Sequence, residues 1–138
     1  MTAKHYTVTA VFRGDEVLMQ YKLRGPFTHV WNLPGGKVEK DEDLLTSACR
    51  EVNEEAAIDI GKHGAVHIAT IEYRAGPVAL LEFFASLIPD NFNFVQTEDE
   101  PLCWVKRDLI KQNIMPTAGY LNVPHFIALA ESVLFNKI

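Results

Sequence analysis

Four glutamates and one arginine occur at fixed offsets in a short segment of the chain. Arg50 is followed directly by Glu51 and shortly afterwards by Glu54 and Glu55. Glu42 precedes this arginine. On a helix, positions i, i+3 and i+4 project from one side, so three of the carboxylates come within reach of each other. One guanidinium cannot balance three carboxylates, whereas a hard divalent cation that prefers oxygen ligands can. The segment therefore predicts a metal site of the kind that phosphate-cleaving enzymes need.

A helix must hold these carboxylates, and the residues around them predict one. Asp43 is a good N-cap, because its side-chain oxygen can accept orphan backbone N–H groups. Apolar residues then recur at helical spacing and form one stripe, namely Leu45, Ala48, Cys49, Val52 and Ala56. A solvated acidic helix face is the alternative interpretation of such a charge run. The upstream pair Gly35-Gly36 and the spacing of Glu42 favour the metal site.

The segment resembles the Nudix box, Gly-x5-Glu-x7-Arg-Glu-U-x-Glu-Glu-x-Gly-U, in which U is a bulky apolar residue. Residues 36–58 follow that pattern with one departure, Ala57, where the family has glycine. The matching residues are Gly36, Glu42, Arg50, Glu51, Val52, Glu54, Glu55 and Ile58. The resemblance implies the Nudix fold, which is an α/β/α sandwich with a central mixed sheet. It also implies a MutT-type pyrophosphohydrolase that uses Mg²⁺, with Mn²⁺ as an alternative.

The departure at Ala57 has two structural interpretations. A glycine just past a helix end often adopts a left-handed conformation, which costs a residue with a Cβ about 1–2 kcal/mol. Alternatively, Ala57 stays helical and the turn moves to Asp59 or Gly61. Neither arrangement removes a metal ligand, so we expect a local adjustment and retained activity.

The resemblance assigns roles to individual residues. It implies that the backbone carbonyl of Gly35 and the carboxylates of Glu51, Glu54 and Glu55 bind the metal. A carboxylate on a downstream loop completes the site in relatives, and here Glu98 is favoured over its neighbours Asp99 and Glu100. Arg50 would orient Glu51 or Glu54 through a charge-assisted hydrogen bond. The general base would be Glu51 as first choice and Glu98 as second.

Other residues could bind the substrate. Lys22, Arg24 and Lys37 lie near the site in sequence and could contact phosphate oxygens, although a solvated surface position is the alternative for each. Asn32 could form a hydrogen bond with a base. The resemblance favours a nucleoside triphosphate, oxidised ones included, that is cleaved to a nucleoside monophosphate and pyrophosphate. A dinucleoside polyphosphate is the alternative substrate, for which Tyr73 is weak evidence. A nucleotide-binding module without catalysis is the alternative of another class.

Composition is typical of one small globular domain. The 138 residues suit a single hydrophobic core, and the 48% of apolar residues are enough to fill it. A net charge of −5 provides no general basic surface for a nucleic acid polymer. Two cysteines form neither a zinc motif nor a disulfide framework. We expect one Nudix domain over residues 1–138, in the cytoplasm, without a membrane segment. A homodimer is common among relatives and stays open.

The remaining elements follow from periodicity and from turn residues. We expect two strands at 5–12 and 16–22, then a loop through 23–42 and the box helix. A hairpin follows, with strands at 65–74 and 78–88. A short strand at 101–106, a helical turn at 107–111 and a final amphipathic helix at 124–136 complete the chain. The inner face of that last helix is predicted to carry Phe126, Ile127, Ala130, Val133 and Leu134.

Overall fold

The long elements follow the order expected from the sequence, whereas the segment 23–42, expected as a loop, contains two short strands. The computed structural model describes residues 4–25, 28–75, 78, 80–113, 117 and 122–135. Within these residues the strands are β1 (His5–Arg13), β2 (Glu16–Tyr21), β3 (Trp31–Asn32), β4 (Gly35–Lys37), β5 (Ala65–Glu72), β6 (Leu80–Ile88) and β7 (Leu102–Lys106). The helices of the same residues are α1 (Leu44–Ala56), α2 (Ile60–His63), α3 (Arg107–Lys111) and α4 (Val123–Leu134).

The strands form one mixed sheet in the order β3-β2-β1-β6-β5. β1 pairs with β6 in parallel along its whole length, from His5 with Leu80 to Arg13 with Ile88. The two ends of β1 have different antiparallel partners on the other side, because β2 pairs with residues 12–13 and β4 pairs with residues 6–8. β7 pairs with β2, and β5 forms the predicted hairpin with β6. This arrangement places the glycine strand β4 directly beside the first half of β1.

Helices cover both faces of the sheet, so the predicted α/β/α sandwich is confirmed. Along β1, Val8, Ala10 and Phe12 belong to a core that includes residues of α3 and α4. Val11 points to the opposite face and packs with α1 and α2, through Val52 among others. The alternation of a strand between its two faces therefore sorts β1 residues into an α4 side and an α1 side.

Several details differ from the sequence-based expectation. The short helix α2 was not predicted, because four residues are too few to show a helical period. Leu45 in α1 and Val133 in α4 were placed on the buried stripes, yet they are 48% and 52% exposed. Each lies within one turn of a helix end, where less of the sheet remains to cover it. The hairpin turn at residues 76–77 and the expected helix end at residue 136 lie outside the described residues.

The other expected core positions of the two long helices are buried, except Cys49 and Leu134, which are partly buried. Ala48, Val52 and Ala56 are fully buried in α1, and Phe126, Ile127 and Ala130 are buried in α4. Cys49 is half-buried at the edge of the α1-side core. Among the described residues, no helix is long and apolar enough to cross a bilayer.

Candidate active site

The box helix begins and ends at residues whose local chemistry explains its bounds. Asp43 is the N-cap, as predicted, and its side chain accepts a hydrogen bond of 2.6 Å from the backbone N–H of Thr46. At the other end, Ala57 takes the left-handed conformation, with φ 57° and ψ 37°. Its N–H donates to the carbonyl of Asn53. Of the two interpretations, the first is therefore observed: alanine occupies the turn in which the family has glycine.

The three box glutamates lie at different depths. Glu55 is buried, and the side chain of Glu51 is only 13% exposed, whereas that of Glu54 is 52% exposed. This gradient follows from the helix itself, because Val52 and Ala56 face the core and Glu54 projects farthest from it. The structure therefore places two carboxylates against the sheet and the third toward solvent.

Arg50 joins the glutamates into one network. Its guanidinium donates two hydrogen bonds to Glu42, at 2.7 and 3.0 Å, and further bonds to Glu51 at 3.0 Å and Glu54 at 3.3 Å. It also donates to the carbonyl of Lys37 at 3.1 Å. The paired bond to Glu42 is the geometry in which arginine binds a carboxylate most firmly. Arg50 thus contacts both glutamates that it was expected to orient, and Glu42 fixes the guanidinium in place.

Two glycines let the inner carboxylates approach the sheet. A Cβ on Gly36 would lie 2.4–2.6 Å from the carboxylate atoms of Glu51, so only glycine leaves room for that group. A Cβ on Gly35 would meet the backbone of Thr7 at 2.0 Å. The N–H of Gly35 donates to Glu55 at 3.3 Å. Gly36 is therefore needed for the close approach of the Glu51 carboxylate, and Gly35 for the close approach of β4 to β1.

Burial gives the inner carboxyls unusual acidities. Burial raises the pKa of Glu55 to about 8, with Lys22 opposing that rise and Glu51 adding to it. Burial also raises the pKa of Glu51, while Arg50 opposes the rise. The two carboxyls share a hydrogen bond. Two buried carboxyls that lie side by side do not readily ionise together. A bound cation would stabilise both of their charges.

The donor set suits magnesium better than a metal that needs a complete protein cage. In the described part of the chain, no three His, Cys, Asp or Glu side chains are grouped closely enough to hold a metal ion by themselves. Magnesium commonly uses one or two carboxylates and completes its shell with water and substrate phosphate. Glu51 and Glu55, supported by the Gly35 backbone, provide oxygen donors of this kind. Glu54 lies one helical turn away and stays a predicted ligand.

The downstream acids have separate surroundings. Glu98 is exposed, and Asp99 forms an exposed ion pair with Arg24. Glu100 is 6% exposed and accepts hydrogen bonds from the backbone of Leu23 and Arg24. The preceding hydroxyl of Thr97 donates to the carbonyl of Glu54, which brings this loop to the end of α1. Glu98 therefore follows a loop residue that touches the box helix, and its role as a ligand stays a prediction.

A cavity of about 120 Å³ opens beside the double glycine. Three of the predicted substrate residues line it, namely Lys22, Arg24 and Asn32, together with Gly35 and Gly36. Most of its other walls are apolar. The fourth predicted substrate residue, Lys37, has an exposed side chain and is not part of the lining.

The residues of β1 and β6 that line the cavity were not predicted from the sequence. Tyr6, Thr7, Val8 and Leu81 line the cavity, yet only strand periodicity marks them in the sequence. Asn32 is buried, and its side-chain oxygen accepts the N–H of Leu33 at 2.8 Å. This bond fixes the amide and leaves its NH₂ group available as a donor. Tyr73, considered for the alternative substrate, is partly buried against the α4-side core, and its role stays a prediction.

Comparison with known proteins identifies the family. The model of the NUDIX domain family matches residues 3–122, so the chain belongs to that family. The oxidized purine nucleoside triphosphate hydrolase of Mus musculus is 29% identical over 112 residues, which cover 79% of this chain and 70% of the mouse protein. Nudix hydrolase 6 of Arabidopsis thaliana is 29% identical over 117 residues, covering 79% of this chain but only 37% of the plant protein.

Solved structures agree with the architecture. The MutT NUDIX hydrolase of Burkholderia pseudomallei superposes with a TM-score of 0.68 at 23% identity, covering 78% of this chain and 86% of the bacterial one. At that identity the likeness concerns the fold. All three of these proteins are named as hydrolases. The prediction that this chain belongs to the Nudix hydrolase family, which includes MutT, is therefore confirmed.

Proposed function

We propose that this chain hydrolyses nucleoside triphosphates to nucleoside monophosphate and pyrophosphate, with a divalent metal bound by the box carboxylates. The observation that carries the proposal is the position of the buried Glu51–Glu55 pair. It meets the double glycine at the rim of a cavity that offers two cations and one fixed amide. A site with carboxylates at one side and cations at the other suits a substrate that joins a polyphosphate to a nucleoside.

Each group has a distinct task in this proposal. A bound Mg²⁺, or Mn²⁺ in its place, would supply a water of lowered pKa and would neutralise charge on the leaving group. Lys22 and Arg24 bind phosphate oxygens, and the NH₂ group of Asn32 donates to an acceptor atom on the base. Arg50 holds Glu51 and Glu54 in place. Gly35, Glu51, Glu54, Glu55 and Glu98 remain the proposed metal ligands.

The reaction replaces one phosphorus–oxygen bond by another. A water oxygen forms a bond to phosphorus while the bond to the bridging oxygen between the α- and β-phosphates breaks. Glu51 is the proposed base, because its carboxylate lies beside the proposed metal-bound water and is held in place by Arg50. Glu98 is the second choice. The leaving group takes the electron pair of the broken bond, and it is pyrophosphate for attack on the α-phosphorus or the nucleoside monophosphate for attack on the β-phosphorus. The proton of the water passes to the base.

Similarity to the mouse protein supports the triphosphate class in particular. That relative is named for oxidised purine nucleoside triphosphates and is matched over most of its length. An oxidised purine is therefore the first substrate to try, and Asn32 is the residue that would contact its base.

A substrate panel tests the proposal directly. The purified chain is incubated with Mg²⁺ and ordinary or oxidised nucleoside triphosphates, dinucleoside polyphosphates, ADP-ribose or nucleotide sugars, and released phosphate and pyrophosphate are measured. We expect Mg²⁺-dependent pyrophosphate release from a triphosphate. Cleavage of dinucleoside polyphosphates alone would replace the proposed substrate by its alternative. A rise in melting temperature with nucleotide, without any release, would indicate a binding module.

A further inference from the structure

Glu100 is a buried carboxylate with a defined set of partners. Its side chain belongs to a residue that is only 6% exposed, although its neighbours Asp99 and Pro101 are both exposed. One of its oxygens accepts the N–H of Leu23 at 2.6 Å and that of Arg24 at 3.2 Å. Its other oxygen lies 3.7 Å from the ammonium nitrogen of Lys22. Both oxygens therefore face the loop that follows β2, hereafter the 22–25 loop.

The segment that carries Glu100 is itself fixed to the box helix. Hereafter we call residues 95–101 the 95–101 loop. The N–H of Val95 donates to the carbonyl of Ala56 at 2.9 Å, and Thr97 donates to that of Glu54. The side-chain amide of Gln96 donates to the carbonyl of Glu100 at 2.6 Å. At the far end, the carbonyl of Pro101 accepts the N–H of Tyr21 at 2.8 Å. Glu100 is therefore held at a fixed place relative to α1.

The 22–25 loop forms one wall of the candidate site. Lys22, Arg24 and Gly25 line the cavity beside the double glycine. The side chain of Lys22 is only 15% exposed, and its ammonium donates to the side-chain oxygen of Gln20 at 3.0 Å. Lys22 therefore has two anchors, Gln20 and Glu100, that hold its charge at the junction of the cavity and the box.

We propose that Glu100 is a positioning residue for phosphate binding, which holds the backbone of the 22–25 loop and keeps the Lys22 ammonium at the rim of the cavity. This inference rests on the proposed function. A long, flexible lysine loses conformational entropy when it binds an anion, and a side chain that is already held in place loses less. Glu100 thus favours substrate binding without touching the substrate.

The role explains why a negative charge lies next to a phosphate site. Taken only as a charge, Glu100 would repel a polyphosphate, so its removal would tighten binding. Taken as an anchor of Lys22 and of two backbone amides, its removal weakens binding. The two views predict opposite changes in KM, which makes the proposal testable by one substitution.

Glu100→Gln is that substitution, because glutamine keeps the size of the side chain but loses the charge that attracts Lys22 and that strengthens the hydrogen bonds from the two amides. We expect KM for the nucleotide to rise about 5- to 20-fold, with kcat within about threefold of wild type. A KM that falls or stays unchanged would overturn the proposal. A kcat loss of about 100-fold with KM unchanged would also overturn it, since it would make Glu100 part of the chemistry.

Glu16→Gln is the matched control. It makes the same chemical change at the other end of β2, where Glu16 is paired with Arg13 at 2.9 Å, away from the cavity lining. KM should stay at the wild-type value in this variant. An equal rise in KM for Glu16→Gln would show that any lost ion pair has this effect and would refute a particular role for Glu100.

A double-mutant cycle with Lys22→Met tests whether Glu100 acts through Lys22. If it does, Glu100→Gln raises KM much less in the Lys22→Met background than in wild type. Equal effects in both backgrounds contradict that route. Should Glu100→Gln fail to fold, Glu100→Asp replaces it, because the shorter side chain withdraws the carboxylate from Lys22; an unchanged KM in this variant overturns the proposal.

Two further measurements separate this proposal from the proposed function. Amide hydrogen exchange at Leu23 and Arg24 should be slow in wild type and faster in Glu100→Gln. Inorganic pyrophosphate, titrated calorimetrically without metal, should bind more weakly to the variant than to wild type. Both measurements can be made even if no nucleotide in the panel is cleaved. Wild-type amide exchange together with wild-type pyrophosphate affinity in Glu100→Gln would contradict the role of Glu100.

Discussion

The two faces of the sheet are both covered by helices, but they bury different chemistry. On the α4 side, β1 presents Val8, Ala10 and Phe12 to a wholly apolar core that also holds Phe83. On the α1 side, the same strand buries Thr7 and Thr9, which point to the same face of the sheet as Val11. One face thus follows the ordinary rule for a protein interior, and the other departs from it.

We expect the departure to lower the stability of the protein. Within the described residues, Thr7, Thr9 and Gln20 each bury a side-chain polar atom without a hydrogen-bond partner. All three lie on the α1 side of the sheet. An unpaired buried polar atom costs about 1–3 kcal/mol. Such costs concentrate where a site, rather than stability, selects the residue, and the α1 side is where the box carboxylates lie.

The largest stability effect should come from the α4 side. Phe83 is fully buried and stacks on Phe126 with a centroid distance of 4.8 Å. Phe83→Ala should lower the free energy of unfolding by about 3–5 kcal/mol, because it removes apolar contacts and leaves a cavity. The matched change on the α1 side is Thr9→Val, which replaces an unpaired hydroxyl by a methyl group. It should be neutral or stabilising, by up to about 1–3 kcal/mol.

Chemical denaturation of both variants measures the contrast. Equal destabilisation by Phe83→Ala and Thr9→Val would mean that Thr9 has a favourable partner and that the two faces do not differ as described.

The largest activity effect should come from the α1 side. Glu54→Gln should reduce kcat by about 100- to 1,000-fold, in the range found when one stabilising group is removed from an active site. Its side chain is 52% exposed, so the melting temperature should stay near that of wild type. Glu39→Gln is the control, since Glu39 is 68% exposed and 3.8 Å from the same arginine. Full activity of Glu54→Gln would contradict the metal assignment.

A pH-dependent effect should come from the pair of Glu42 and Arg50. The hydrogen bond from Arg50 lowers the pKa of Glu42 from 4.5 to about 2. Because the folded-state pKa is the lower one, this pair stabilises the protein above pH 4.5 and loses its contribution as the pH falls toward 2. Glu42→Gln should therefore melt below wild type at pH 7, and the gap should narrow between pH 4.5 and 2. A gap that stays constant over this range would contradict the ion pair.

The smallest effect should come from Ala57, the one residue at which the box departs from the Nudix pattern. Ala57 has φ 57°, a conformation that strains a residue with a Cβ. Ala57→Gly should raise the free energy of unfolding by up to about 1 kcal/mol, because relief of strain exceeds the added chain entropy. Activity should not change, since Ala57 contributes no ligand. A loss of stability in this variant would show that the turn is not strained.

The fold and the box could be predicted because both depend on local patterns. Strand alternation, helical spacing and the N-cap Asp43 all act over a few residues, and the structure confirms them. Errors arose where neighbours decide burial. Leu45 and Val133 match the period of their helices, yet the extent of the sheet leaves them exposed.

The contacts that complete the site could not be predicted, because they join distant parts of the chain. Glu100 meets Leu23 across a sequence separation of 77 residues. Nothing in the local pattern distinguishes it from the exposed Glu98 and Asp99. Arg50 is a second example, because it was expected to contact Glu51 or Glu54, whereas its firmest partner is Glu42, eight residues earlier.

Paramagnetic broadening by Mn²⁺ tests the central claim that the α1 face holds the metal. Mn²⁺ is added in small steps to isotope-labelled protein, and backbone amide resonances are followed by NMR. We expect Gly35, Gly36 and residues 51–55 to broaden first and α4 to broaden last. First broadening at His5 and His67, which flank the buried Glu82 at 2.6 and 2.9 Å, would place the metal elsewhere and contradict the account.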